Sequence, residues 1–97
     1  MHAVRVFLKF LQPFSLYFED TTITLPKTSS NLTFKAFIDH LRNELPELYH
    51  EICDNHGNVQ AHVLCLLNDK IFPLTELMER PLTDGDVITF GYAIGGG

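Results

Sequence analysis

Apolar and polar residues alternate from Val4 to Leu11, with Val4, Val6, Leu8 and Phe10 on one parity and Arg5 and Lys9 on the other. A strand buried on one face needs this period of two, and β-branched and aromatic side chains favour it. Pro13 and Ser15 interrupt the pattern. Thr22-Ile23-Thr24-Leu25 alternates again and stops at Pro26, so a second strand ends there and starts as early as Leu16. The two pair most simply as an antiparallel hairpin around an irregular loop.

The period then changes. Phe34, Phe37, Ile38, Leu41 and Leu45 recur at spacings of three and four, the signature of an amphipathic helix. Thr33 stands where its hydroxyl caps the first turn, and Pro46 disfavours helical geometry at Leu45. Leu48 and Ile52 predict a further helical turn beyond that break. Asp54-Asn55-His56-Gly57-Asn58 has turn chemistry, and Val59 to Leu67 returns to strand character. Asn68-Asp69 reverses the chain into the short segment Ile71-Phe72, one helical turn is expected around Glu76 to Met78, and Asp84-Gly85-Asp86 leads into a last strand, Val87 to Tyr92. The order is ββαββ. A lone helix can bury its apolar stripe only against a sheet, which predicts an α+β fold: a mixed sheet of four to five strands, one main helix across one face, and the last strand returning beside the first.

With 97 residues, 45% hydrophobic and 20% charged, the chain has an ordinary globular balance and suffices for one domain, 1–97, with residues 93–97 as a flexible tail. Twelve acidic side chains against seven Lys and Arg give a net charge of -5, which repels phosphate backbones and argues against nucleic acid as a partner. No apolar run reaches the ~20 residues of a membrane span, and Met1-His2-Ala3-Val4-Arg5 lacks a signal-peptide pattern, so a cytoplasmic location without membrane contact is expected. Cys53 and Cys65 fit no metal or redox spacing and read as inert thiols. Cys53, His56 and His62 offer too few ligands for zinc and lack the third group of a hydrolase triad, so neither a metal nor an enzyme activity is expected.

Pro81-Leu82-Thr83-Asp84-Gly85-Asp86-Val87-Ile88-Thr89-Phe90, followed by Gly95-Gly96-Gly97 at the terminus, resembles the ubiquitin-like β-grasp sulfur carriers of the MoaD and ThiS families. Leu66-Leu67-Asn68-Asp69-Lys70-Ile71 is similar to the strand-turn-strand segment that precedes this motif in them. The resemblance implies a protein co-substrate rather than an enzyme, with no bound cofactor. An ATP-dependent adenylyltransferase of the ubiquitin-activating type would adenylate the carboxylate of Gly97, and sulfur would then be carried there as a thiocarboxylate. It implies donation to a MoaE-like large subunit in molybdopterin biosynthesis. The segment Gly91-Tyr92-Ala93-Ile94 has no proline, unlike many MoaD-type tails, and the glycines number three. A ThiS-like carrier in thiamin synthesis, a ubiquitin-related modifier serving tRNA thiolation or protein conjugation, and a non-catalytic ubiquitin-like binding module therefore stay open. Glycines suit the role physically, because a run without Cβ atoms can thread a narrow tunnel and present its carboxylate deep inside a partner.

Phe7 shares the parity of Arg5 and Lys9, away from the expected core. The resemblance turns Ile88 and Phe90 inward and leaves Thr89 outward. Phe7 and Thr89, on the sheet face opposite the helix, and Tyr92, near the root of the tail, are the expected partner-binding residues.

Overall fold

The computed structural model describes residues 3–26 and 32–93. Strand β1 (Ala3–Phe10) pairs antiparallel with β2 (Thr21–Pro26), and Val4↔Leu25 and Val6↔Ile23 lie opposite each other. Burial along β1 alternates strictly, as its sequence requires. Between them Phe14–Leu16 forms a 3-10 turn rather than the start of β2, and it drops Phe14 into the core.

Helix α1 (Phe34–Glu44) is capped by Thr33, whose Oγ1 accepts the Ala36 N–H at 3.2 Å. It buries Phe34, Phe37, Ile38 and Leu41. Pro46 opens a separate helix, α2 (Pro46–Ile52), because a residue without an N–H is tolerated at a helix start and nowhere deeper. Strand β3 (Val63–Leu67) begins later than the apolar run predicts: Val59 makes an isolated bridge to Cys53, and Gln60 N–H donates to the Ile52 carbonyl at 2.9 Å, which ties residues 59 and 60 to α2 instead. Asn68 and Asp69, at φ 51° and 66°, make the two-residue turn whose twist suits a hairpin into β4 (Lys70–Ile71). Helix α3 (Leu74–Glu79) follows, then β5 (Val87–Tyr92).

The strand order is β2-β1-β5-β3-β4, with β5 parallel to β1 and antiparallel to β3. The last strand thus enters the centre of the sheet beside the first, and this is the α+β ubiquitin-like arrangement that the sequence predicts. Phe37 of α1 stacks on Phe90 of β5 at 6.5 Å between ring centroids, Phe10 of β1 lies 5.9 Å from the same ring, and Phe34, Phe37, Ile88 and Phe90 are fully buried. Each such side chain contributes about 1.5–3 kcal/mol by leaving water.

Candidate functional site

Strand β5 carries the chain outward to Ala93, the last residue described before the glycines. Ala93 N–H donates to the His62 carbonyl at 2.8 Å, so the ladder with the segment before β3 holds the chain up to that point. Tyr92 has the parity of Ile88 and Phe90 and therefore turns to the helix side. Its ring stacks on Phe14 at 4.3 Å and on His62 at 5.5 Å, and its hydroxyl donates to Glu51 Oε1 of α2. Burial first, and then the bond to Glu51, pushes the Tyr92 phenol up to about 12. The end of β5 is thus held by contacts from the 3-10 turn, from α2 and from the segment before β3. Gly95, Gly96 and Gly97, the expected reactive terminus, lie outside the described residues.

The opposite face of the sheet differs from its sequence-based expectation in two ways. Phe7 is on it and 40% exposed. Thr89 has the expected parity but is only 4% exposed, because on the central strand it is flanked in register by Lys9 and Leu66. Tyr92, at the end of β5, is on the other side of the sheet, engaged with Phe14 and His62, so of the three only Phe7 and Thr89 lie on the outer face.

The same face also carries a set of apolar residues that the sequence did not single out. Leu66 pairs with Ile71, which is 69% exposed, and Leu11, 46% exposed, folds over Gly91 so closely that a Cβ there would sit 3.1 Å from Leu11 Cδ1. Leu64 and Leu66 are half-buried between them. With Phe7 beside Val87, the outer face presents apolar side chains from β1, β5, β3 and β4. The available signal was the unbroken run Val63-Leu64-Cys65-Leu66-Leu67: a strand with only one covered face needs every second residue to be apolar, and this one has them on both.

The remaining chemistry is quiet. Cys53 and Cys65 are buried free thiols; burial, reinforced by Asp54, pushes Cys53 up to about 11, and burial pushes Cys65 up to about 12. Few thiolates exist at neutral pH, so neither acts as a nucleophile. Among the described residues no group of three His, Cys, Asp or Glu is arranged to hold a metal ion.

Solved structures share this architecture. The small archaeal modifier protein SAMP1 from Methanosarcina acetivorans superposes with a TM-score of 0.71 at 17% identity, covering 100% of both chains. Urm1 from Trypanosoma brucei does so at 0.61 and 23%, covering 100% of this chain and 99% of that one. A putative molybdopterin converting factor, subunit 1, from Pyrococcus furiosus gives 0.62 and 19%, over 90% of this chain and 94% of that one. At such identities the likeness is one of fold. No curated protein matches the chain significantly. A family match goes further, because it follows the sequence itself from Arg5 through the D-G-D turn and β5 to Gly97. The chain with the clamped strand end and the terminal glycines therefore belongs to the Urm1 (Ubiquitin related modifier) family of ubiquitin-like sulfur carriers and modifiers.

Proposed function

We propose that the protein is a co-substrate that carries sulfur on its C-terminal glycine. A carboxylate is a poor electrophile. In the proposed cycle a carboxylate oxygen of Gly97 attacks the α-phosphorus of ATP on a ubiquitin-activating-type adenylyltransferase, and pyrophosphate leaves. Hydrosulfide, supplied by the sulfur source, then attacks the acyl carbon and expels AMP, leaving a thiocarboxylate. The observation that carries this reading is the family match running through Gly95-Gly96-Gly97. The apolar outer face around Phe7, Leu66 and Ile71 supports it as the surface a partner would cover, and the clamped strand end supports a tail delivered from a fixed origin.

For the destination of the sulfur, the resemblance of the D-G-D segment to MoaD-type carriers supports one reading, transfer to a MoaE-like large subunit in molybdopterin synthesis. The family description favours a second reading, in which the activated terminus serves tRNA thiolation or forms an amide with a lysine of another protein. Incubation of the tag-free protein with its activating enzyme, ATP and a sulfur source, followed by intact-mass analysis, is the test. The expected result is a gain equal to the mass difference between sulfur and oxygen, located on the C-terminal peptide. An unmodified terminus beside a verified active enzyme refutes the carrier reading. Recovery of the chain in amide linkage to other proteins selects the modifier reading.

A further inference from the structure

At the pole of the sheet away from Ala93, the β3–β4 turn and the loop from Arg80 to Asp86 border a cavity of about 210 Å³. Its walls hold two cations, Lys70 and Arg80, and one carboxylate, Asp86. The chain has twelve acidic and seven basic side chains, yet no carboxylate of the described residues lies within 4.0 Å of either cation. Arg5, by contrast, has Asp84 at 3.2 Å.

Arg80 is held in an unusual way. Its guanidinium carbon sits 3.8 Å above the centre of the Phe72 ring, and none of its side-chain donors bonds to a described residue. Nε is closed off from solvent without an acceptor, so stacking on the ring, rather than hydrogen bonding, sets the pose. The guanidinium is thus held in place with its hydrogen-bonding capacity unspent on the described residues.

Asp86 cannot relieve this. Its Oδ2 accepts the Thr83 N–H at 2.8 Å, and its Oδ1 accepts from Thr83 Oγ1 at 3.2 Å and from Asn68 Nδ2 at 3.0 Å. Asn68 in turn accepts the Val87 N–H at 2.9 Å, so the wall is cross-tied to β5. Two positive groups and one immobilised negative group leave the cavity one charge positive in a chain of net -5. A monoanion would neutralise that balance, whereas a phosphate dianion would leave the cavity one charge negative. The volume exceeds by several times the roughly 30 Å³ a water occupies, enough for a carboxyl group and a short stem.

We propose that this cavity is a carboxylate-binding site, with Arg80 as the planar fork and Lys70 as the point charge. The carboxylate has two sources, an Asp or Glu side chain of a partner protein or a free small carboxylic acid. The test is an NMR titration of the full-length, ¹⁵N-labelled protein with sodium acetate, a blocked glutamate peptide and inorganic phosphate, at constant ionic strength. Saturable shifts are expected at Asn68, Lys70, Arg80 and Thr83 for acetate and peptide, with weaker binding of phosphate. Arg80→Met, which keeps an unbranched stem on Phe72, should weaken acetate binding at least tenfold. If that variant does not fold, Lys70→Met, at the exposed start of β4, should weaken it about threefold by removing one exposed charge. Tighter binding of the peptide than of acetate assigns the site to an acidic side chain, and equal binding assigns it to a free acid. Shifts spread evenly over all cations, an unchanged affinity in the folded variants, or preference for phosphate would overturn the proposal.

Discussion

Replacing Phe7 by Ala separates the two roles a large aromatic can have on a sheet. A Phe in a closed core costs about 3–5 kcal/mol when cut to Ala, because a cavity is added to the lost transfer energy. Phe7 is 40% exposed on the outer face, so its removal opens a dent that water fills, and only the covered share of the ring is lost. That reduces the cost to about 1–2 kcal/mol. Phe90, fully buried between Phe37 and Phe10, is the control, and Phe90→Ala should show the whole core penalty. Under the proposed function Phe7 also lies in the surface that the activating enzyme covers. Its loss should weaken that complex by about 1–3 kcal/mol, roughly 5- to 150-fold in Kd. Urea unfolding measures the first quantity, and a calorimetric titration against the activating enzyme measures the second. A stability loss equal to that of Phe90→Ala, or an unchanged Kd, would refute the assignment of Phe7 to a docking face.

Other expectations follow from the same contacts. Tyr92→Phe keeps the stack on Phe14 and His62 but removes the bond to Glu51; a stability loss of about 0.5–1.5 kcal/mol is expected, and none would show that the hydroxyl is solvated in the native state. The same phenol, raised to about 12, stabilises the fold below its unfolded pKa near 10, and this contribution is lost as pH rises through the folded value; Tyr92→Phe should therefore flatten the alkaline limb of a stability profile. At the acid end, hydrogen bonding to Arg5 holds Asp84 below the usual carboxylate range, so its contribution is present above the unfolded pKa near 3.9 and lost as pH falls through the lowered value. Asp84→Asn should lower the urea midpoint at pH 7 and lessen its fall on acidification, and a profile parallel to the wild type would contradict this. Gly96→Val should leave the melting temperature in place, a stability change within about 0.5 kcal/mol, and abolish thiocarboxylate formation, which the intact-mass assay reads directly; full activity would remove the threading argument.

Much of the fold was written locally. The alternation of Val4, Val6, Leu8 and Phe10 determines which face of β1 is buried, because a period of two survives in any register that keeps one face dry. The spacing of Phe34, Phe37, Ile38 and Leu41, with Thr33 before it and Pro46 after it, determines α1 and the break to α2. The D-G-D turn and the terminal glycines were enough to indicate the kind of protein. The α+β class followed from the order of elements alone.

Exposure and partnership were not written there, because both depend on what long-range pairing brings alongside. Thr89 faces outward as its parity demands, yet it is buried because β1 and β3 set Lys9 and Leu66 on either side of it. Tyr92 follows the parity of Phe90, but the ring it would meet, Phe14, comes from a 3-10 turn in a segment that reads as an irregular loop. Val63 to Leu67 announces two apolar faces, while the short β4 hairpin adds Ile71, β1 adds Phe7 and the residue after β1 adds Leu11 to the outer one. Arg5 finds Asp84 across nearly the whole chain, whereas Lys70 and Arg80 meet around one cavity with no ion-pair partner among the described residues. A side chain's direction is set by its own backbone within a few residues, but its neighbours are set by the topology, and the site is made of neighbours.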